Sequence, residues 1–467
     1  MVALQKYKNS SFFIDKNKRL GDFPQTKSAL TNFLRLAIPS IIELCFASLI
    51  SAVDLMMVGN LGSYATSSVG LCSQPNFLAL AVFFALNAGV TATVARRKGQ
   101  GDREGAVSAL KQSLFVGFFA AIIITVLVLW TGRPLVKFAG AIPGETLDSA
   151  TAYFKVISSF LVFRALMLTI NASLRGVGET RTTLVTNVVS NVVNIVFNYL
   201  LIEGHFGFPA LGVAGAALAS GIGFFVGFLI ALRSVLSKKS FLYLSPKISF
   251  VPTKDIFTPI LHISSNSLLE QLCVRIGFFV AAKFVAKLGT DNFAAHTITN
   301  QLTNFTYNLG DGLAVATTTL VGQNLGKKRS DLSEMYCKLS HKCALVLATI
   351  TSIVLLSCRH IIPTLFSENA HVIELAAAAI IPMTVMQFFQ QQQVIYSGTL
   401  RGAGDTKSTA LSNFFGIGLI RPVSTVIAVL VFNNLFVLWC LMTCDMIFRF
   451  VFLRYRFKLE KWKLIKV

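Results

Sequence analysis

The segment Leu174-Arg175-Gly176-Val177-Gly178-Glu179-Thr180 occurs a second time as Leu400-Arg401-Gly402-Ala403-Gly404-Asp405-Thr406. About 226 residues separate the two copies, which is nearly half of the 467-residue chain. The first apolar segment of each half also contains a glutamate, Glu43 or Glu270. A correspondence at this fixed displacement predicts that the molecule is built from two copies of one unit.

Composition places the chain in a membrane. Hydrophobic residues make up 54% of the sequence and charged residues only 13%, with a mean hydropathy of +0.66. A water-facing surface needs roughly twice that charged fraction. The net charge of +21 follows from lysines and arginines in loops on one side of the bilayer, so nucleic acid is not an expected partner.

Apolar segments of membrane-spanning length recur six times in each half. In the first half they cover about 29–58, 67–95, 106–130, 147–172, 182–202 and 211–236. In the second half they cover about 257–285, 292–321, 332–357, 372–397, 408–432 and 435–453. Because six is even, both halves start on the same side. We therefore predict an all-α polytopic membrane protein with twelve transmembrane helices, in two parallel six-helix repeats around a central cleft.

Charge distribution assigns the remaining segments. We predict a cytoplasmic amino-terminal segment at 1–28, six-helix bundles at 29–236 and 255–453, a cytoplasmic linker at 237–254 and a basic cytoplasmic tail at 454–467. Lysines and arginines concentrate in the segments assigned to the inside, as the positive-inside rule requires. Both termini are therefore expected in the cytoplasm, and the protein in the cell membrane as a multi-pass protein.

The first predicted span contains two acids, Glu43 and Asp54, eleven positions apart and so on one helix face. A carboxylate at membrane depth is costly and usually faces a cavity or a partner. Asp54 is therefore a candidate ion or proton site, unless it lies close enough to the outer surface to be hydrated. Glu43 is either a cavity residue or a structural hydrogen-bonding residue.

A stripe of asparagines follows one face of the fifth predicted span. Its members lie four, three and four positions apart: Asn187, Asn191, Asn194 and Asn198. Such amides either bond neighbouring helices together or line a hydrated cavity, where their oxygens join a carboxylate in binding a small cation. We expect a possible Na⁺ site formed by Asp54, Asn194 and Asn198.

Glu270 is the main acid of the second half. A glutamate isolated in an apolar wall suits exchange of a proton for an organic cation, whereas a fixed ion pair with Arg275 or Lys283 gives it a structural role. Arg275 is five positions away, a poor fit for a pair on the same helix face.

Further polar residues are candidates for lining a substrate cavity. The eighth predicted span has a polar face with Tyr307 beside it as an aromatic wall for flat cations. In the tenth, four consecutive glutamines point in different directions, so only part of that run can line a cavity. The candidates in these two spans are Asn304, Tyr307, Asn308, Asp311 and Gln390.

Motifs of catalysis are absent from the sequence. The six histidines are dispersed, and neither a GxxxxGK[ST] nucleotide loop nor a GxSxG nucleophile elbow occurs. We expect that the protein is not an enzyme and that it needs no cofactor other than a coupling ion. The repeated glycine-containing loops are placed at cytoplasmic helix ends, where they are expected to cap or hinge helices rather than bind phosphate.

Together these features resemble the multidrug and toxic compound extrusion (MATE) family. The resemblance rests on the twelve spans, Pro39 followed by Val53-Asp54-Leu55-Met56-Met57-Val58-Gly59, the paired LRGxG[ED]T segments and Ala294-Ala295-His296. It extends from the first span to the last.

The resemblance implies a multidrug exporter that exchanges organic cations for Na⁺ or H⁺ by alternating access. By motif position, it assigns coupling to Asp54, Asn194, Asn198 and Glu270, while Gln390 stands where an acid is common in one branch. The expected partners are small cationic substrates and membrane lipid, with the protein as a monomer. The alternative is a flippase for a lipid-linked saccharide, whose anionic cargo calls for basic residues in the cleft.

Overall fold

The computed structural model describes residues 14–141, 143–244 and 253–465, and the described residues form helices without a β-strand. The predicted positions of residues 1–13, 245–252 and 466–467 in the terminal segments and linker lie outside this range. The prediction of an all-α fold is confirmed.

Twelve long helical segments follow one another in the described residues, six in each half. In the first half they are α1 (Thr26–Gly59), α2 (Ser63–Gln100), α3 (Arg103–Phe138), α4 (Glu145–Ser159 and Leu161–Val177), α5 (Thr180–Ile202) and α6 (Gly212–Leu236). In the second half they are α7 (Lys254–Val285), α8 (Thr290–Gly326), α9 (Ser330–Ser357), α10 (Ala370–Ala403), α11 (Thr406–Phe432) and α12 (Leu435–Lys458).

Ten of these segments have the length and apolar character of a membrane span, counting the bent pair of α4 as one. The other two, α7 and α8, are 32 and 37 residues long but contain many polar side chains. Polar spans are expected where the helices line polar surfaces inside a bundle. The chain is therefore a multi-pass membrane protein.

Two helices depart from regular α geometry. The segments of α4 meet at Phe160 with a 50° bend. In α11, π-helical turns occupy Phe414–Ile420 and Ala428–Phe432, on either side of the segment Arg421–Ile427. Pro422 has no N–H to donate, which disfavours a regular α ladder here. Such π turns often mark functional positions.

The chain forms two compact units. One contains Ile42–Ser264, and the other contains Met1–Ile41 and Ser265–Val467, so both divisions fall within helices, α1 and α7. In the first unit, α2, α3, α4 and α6 share a core that includes Val90, Leu110 and Ile170. In the second, α7, α8, α10 and α12 bury Met383, Trp439 and their neighbours.

The residues nearest the two termini that the structure describes lie at one end of the second unit. Lys18 forms an ion pair with Glu460, and Lys463 donates to Glu334 at 2.8 Å. An even number of spans brings the termini to the same side of the membrane, and these contacts agree with that topology.

Candidate functional site

The first glycine of the repeated LRGxG[ED]T segment lies at a close helix contact in each half. A Cβ on Gly176 would lie 2.9 Å from the carbonyl oxygen of Thr91 on α2. In the second half, a Cβ on Gly402 would lie 2.4 Å from the carbonyl oxygen of Thr318 on α8. Only glycine permits these approaches, so the glycine of each copy allows the fourth helix of its half to touch the second.

The second glycine of each copy ends a helix. Gly178 and Gly404 adopt left-handed conformations, with φ of 89° and 87°, and each N–H is bonded to carbonyls of the preceding turn. The next residue, Glu179 or Asp405, donates its N–H to the leucine that opens the motif, at 2.8 Å in both halves. The prediction of a helix cap is confirmed, and these N–H groups are already used rather than available to phosphate.

The arginine of the first copy neutralises a buried acid. Arg175 donates to Glu43 at 2.9 Å, Thr183 donates to its other carboxylate oxygen at 2.9 Å, and Asn187 donates at 2.8 Å. The Glu43 side chain is only 6% exposed. Glu43 is therefore the centre of a hydrogen-bonded cluster that joins α1, α4 and α5, which supports the structural interpretation of this residue.

The second half repeats this cluster at a displacement of 226 or 227 residues. Arg401 pairs with Glu270, Thr409 donates to Glu270 at 3.1 Å, and Asn413 donates at 2.7 Å. Glu270 is therefore not isolated in an apolar wall. Its partner is the motif arginine rather than Arg275 or Lys283, the partners considered from the sequence.

Asp54 has a different environment, made of amides and hydroxyls. Asn198 donates to Asp54 Oδ1 at 2.7 Å. When the Asn194 side chain is oriented so that its oxygen accepts from Ser220, its NH₂ group donates to Asp54 Oδ1 at 2.8 Å. Among the described residues, no arginine, lysine or histidine forms an ion pair with Asp54. Its charge is therefore not compensated by the protein.

The asparagine stripe is thus divided between two acids. Glu43 bonds to Asn187 and Asp54 bonds to Asn198, each pair 144 positions apart in sequence. The eleven residues between the two acids correspond to about 16 Å along a helix. The structure therefore brings Asn194 and Asn198 to Asp54, and Asn187 to Glu43.

A cavity of about 290 Å³ adjoins Asp54, between α1, α2, α4, α5 and α6. Its polar lining includes Ser73, Tyr153 and Ser220, besides Asp54 and Asn198. Asn198 Oδ1 is buried and has no hydrogen-bond partner among the described residues. An unsatisfied amide oxygen beside an uncompensated carboxylate is the donor set that a hard cation such as Na⁺ prefers.

The second half lacks this donor set. At the same displacement, Asp54 corresponds to Ala281, and Asn194 and Asn198 correspond to Ile420 and Ser424. The next residue of α11, Arg421, is 6% exposed and donates to Asp445 at 2.7 Å. Arg449 lies 3.7 Å from the same aspartate. Arg421 and Ala281 line the same cavity of the second half, so a guanidinium of the chain lies beside the counterpart of Asp54.

The remaining predicted cavity residues differ in exposure. Asn191 is half-buried between the two clusters of α5, while Asn304 is exposed on α8. Tyr307, Asn308 and Asp311 are half-buried farther along α8. Gln390 is 1% exposed, and its Oε1 is buried with no hydrogen-bond partner in the part of the chain that the structure describes.

Sequence reasoning missed the basic and hydroxyl members of the clusters. Thr183 and Thr409 look unremarkable by themselves, and Arg175 and Arg401 lie in the repeated segments that were placed at cytoplasmic helix ends. The signal that identifies them is the repeat itself, because the glutamates lie 227 residues apart and the two arginines, the two threonines and the paired asparagines lie 226 apart.

Comparison with known proteins supports the duplication. The MatE family model matches twice, at residues 39–200 and again at residues 267–427. Two similar bacterial proteins are the probable multidrug resistance protein NorM of Thermotoga maritima and the uncharacterized transporter YisQ of Bacillus subtilis. The first is 28% identical over 92% of both chains, and the second 27% identical over 82% of this chain and 84% of its own.

Solved structures share the fold. A MOP superfamily transporter from Pyrococcus furiosus has a TM-score of 0.86 at 23% identity, covering 93% of this chain and 97% of that one. A MATE protein in the straight conformation has a TM-score of 0.87 at 21% identity, covering 94% and 97%.

Proposed function

The chain belongs to the MatE family, whose members are transporters rather than enzymes, and on this basis we propose that it exports organic cations in exchange for Na⁺ or H⁺. The similarity to a probable multidrug resistance protein supports a multidrug substrate range. We further propose that the protein works as a monomer in the cell membrane, with both termini in the cytoplasm and no cofactor beyond the coupling ion.

One observation supports Asp54 as the coupling residue. Besides Asp255 in its first turn, α7 has Glu270, and α1 has Glu43 and Asp54. Glu43 and Glu270 each have an arginine partner, and Asp54 has none among the described residues. A carboxylate at membrane depth without a protein counter-charge is stable only when a cation or a proton joins it. Asp54 therefore responds to the ion gradient, whereas Glu43 and Glu270 have their counter-charges supplied by the chain.

Asn194 and Asn198 can interact with Asp54 or its ligand both when a cation is bound and when none is bound. A carboxamide offers either two N–H donors or an oxygen acceptor. The N–H groups satisfy Asp54 while its carboxylate has no other partner, and the oxygens serve as ligands when a cation joins it. Ser220 contacts Asn194 at 3.0 Å and can donate or accept, so it supports either orientation.

Transport then follows from differential affinity. An ion that binds Asp54 more tightly in one conformation shifts the population toward that conformation, which releases the substrate outward. A shift from 1:99 to 99:1 requires roughly a 10⁴-fold preference of the ion for the favoured state. Because the two clusters around Glu43 and Glu270 are equivalent, they are expected to contribute equally to the structure of each half.

The test is ethidium efflux from vesicles, driven in separate experiments by an imposed Na⁺ gradient and by an imposed pH gradient. We expect Asp54→Asn to abolish gradient-driven efflux, with Glu43→Gln and Glu270→Gln as matched controls that each remove one buried carboxylate charge. The proposal predicts similar, smaller losses in both controls, proportional to the amount of folded protein.

Two outcomes would contradict it. Wild-type efflux in Asp54→Asn would remove Asp54 from the mechanism. Complete loss of coupling in Glu270→Gln, with Asp54→Asn still active and both proteins equally folded, would move the coupling site to the second half. The gradient that drives efflux in the wild type identifies the ion.

A further inference from the structure

The second unit contains a cavity that corresponds to the Asp54 cavity of the first unit. Its volume is about 40 Å³, and side chains of α7, α8, α10, α11 and α12 line it. Five residues that line the Asp54 cavity have counterparts in this lining, each 227 positions later in the sequence. Three of these pairs are Asp54 and Ala281, Val69 and His296, and Ser73 and Asn300. The duplication therefore produced two equivalent cavities, and the proposed export reaction uses only the first.

The second cavity has a basic side chain, whereas the first has an acid. Ala281 stands at the position of the aspartate, and Arg421 brings a guanidinium group to the lining. By sequence position, Ile420 is the counterpart of Asn194. The π-helical turn at Phe414–Ile420 accommodates one residue more than an α-helical turn, so Arg421 takes the position that Asn194 has in the first unit. The charge at the cavity has thereby changed from negative to positive.

The acidic partner of Arg421 is shared with a second arginine. Arg421 Nε and Nη2 contact Asp445 at 2.7 and 3.4 Å. Arg449 lies 3.7 Å from the same carboxylate. Among the described residues, neither arginine forms a salt bridge with another acid. One carboxylate therefore serves two guanidinium groups, and Arg421 Nη1, which can only donate, has no acceptor in that part of the chain.

Two further buried polar side chains line the cavity without a partner. Trp439 is 2% exposed, and its Nε1–H, which can only donate, has no hydrogen-bond partner among the described residues. His296 is 7% exposed, and the same holds for its Nδ1. The two rings lie 5.4 Å apart between centroids. Because a neutral imidazole has one N–H group, His296 can also donate to a ligand in the cavity.

A small anion satisfies both the donor groups and the charge of this cavity. Buried N–H groups are costly when they have no acceptor. The volume has room for a few water molecules or one monatomic ion, but not for an organic anion. Water accepts hydrogen bonds but adds no negative charge beside the two arginines. The ring of Phe278, 4.7 Å from the Arg421 guanidinium carbon, forms an apolar wall, which favours a weakly hydrated ion.

We propose that this cavity binds one small monovalent anion of the size of chloride. Arg421 supplies the counter-charge and donates from Nη1, and the N–H groups of Trp439 and His296 complete the set of donors. The half-buried amide of Asn300 lies at the same cavity and adds a further donor. The anion is a ligand of the second unit, separate from the coupling ion of the first, and its binding does not depend on the export reaction proposed above.

The experiment measures binding of radioactive chloride to the purified full-length protein by equilibrium dialysis in gluconate buffer. The first test variant is Trp439→Phe, which removes the Nε1–H and keeps an aromatic ring beside His296. It should bind chloride roughly tenfold more weakly, because a hydrogen bond to an ion is lost. The matched control is Trp462→Phe, the same change at a buried tryptophan whose Nε1 donates to the carbonyl oxygen of Phe457 at 3.0 Å.

A second test variant, Ala281→Asp, restores the acid that the first unit has at this position. The new carboxylate lies at the same cavity as Arg421 and takes the place of the anion. Ala281→Asp should therefore abolish chloride binding. It decides the proposal by itself if Trp439→Phe does not fold, which circular dichroism of each variant checks.

Support requires one saturable chloride ion per wild-type molecule, retained in Trp462→Phe, weakened in Trp439→Phe and lost in Ala281→Asp. If the folded wild-type protein bound no chloride saturably, the cavity would take water only and the proposal would be overturned. Wild-type affinity in Trp439→Phe or in Ala281→Asp would place the ion elsewhere and also overturn it. Equal weakening in the two tryptophan variants would show a general effect of packing, with the same consequence.

Discussion

Removing the arginine of a Glu–Arg cluster should destabilise the protein more than removing the glutamate. The perturbations are Arg175→Met, which keeps an apolar side chain of similar length, and Glu43→Gln, which keeps the shape of the acid. In the native cluster the Glu43 side chain is 6% exposed and the Arg175 side chain is 20% exposed. The two changes therefore leave behind partners with very different access to water.

The magnitudes follow from that difference. Arg175→Met leaves a carboxylate buried without its counter-charge, which costs about 3–5 kcal/mol. Thr183 and Asn187 still donate to Glu43, so we expect the lower end, about 3 kcal/mol. Glu43→Gln leaves a partly hydrated guanidinium beside an amide oxygen that still accepts, and we expect about 1–2 kcal/mol. The double variant should be less destabilised than Arg175→Met alone.

The assay is unfolding of the purified protein in mixed micelles, titrated with SDS and followed by tryptophan fluorescence. The same order is expected in the second half, where Glu270 is 3% exposed and Arg401 is 29% exposed. If Arg175→Met were no more destabilising than Glu43→Gln, the reasoning would fail.

Two further predictions concern packing and the terminal ion pair. Gly402→Ala should lower the unfolding free energy by about 1–3 kcal/mol, because the new methyl group meets the carbonyl oxygen of Thr318 at 2.4 Å and α8 and α10 must separate. SDS titration measures this loss of stability, with Ala403→Gly as the control. An unchanged unfolding midpoint would contradict the contact. Glu460→Gln should change stability by less than about 0.5 kcal/mol, because Lys18 and Glu460 are 46% and 40% exposed. Lys18 lowers the pKa of Glu460, so the small stabilisation by the pair is present at neutral pH and is lost as the pH falls through that pKa. Thermal unfolding at neutral pH and below that pKa measures the effect. A large difference in stability would contradict the prediction.

Much of the fold could be predicted because its signals are local or periodic. Apolar length fixed the twelve helices, since a span needs about 20 residues to cross the hydrocarbon. The bend of α4 at Phe160 and the π turns of α11 were not predicted, because neither interrupts the apolar pattern. The compact units divide inside α1 and α7. The predicted boundaries of the two six-helix bundles stay a prediction.

The sequence predicted the residue types of the candidate site, but only some of the side chains that bond to one another. Spacing placed Asp54 on one face with Glu43, and four asparagines on one face of α5, but spacing within a helix does not reveal which side chains of other helices reach them. Arg175 is 132 residues from Glu43, and only the packing of α1, α4 and α5 brings them together. The distinction between a compensated acid and an uncompensated one is therefore a property of the folded unit.

The sequence by itself determined that the protein lies in a membrane, that it was duplicated, and that its polar residues concentrate on a few helices. These properties depend on hydrophobic length and on repetition, which are readable along one chain. Only the tertiary structure decided that Glu43 and Glu270 are each neutralised by an arginine, while Asp54 has no such partner among the described residues. The physical reason is that the energy of a buried carboxylate depends on the charge placed within a few ångströms of it, and that charge comes from a helix distant in sequence.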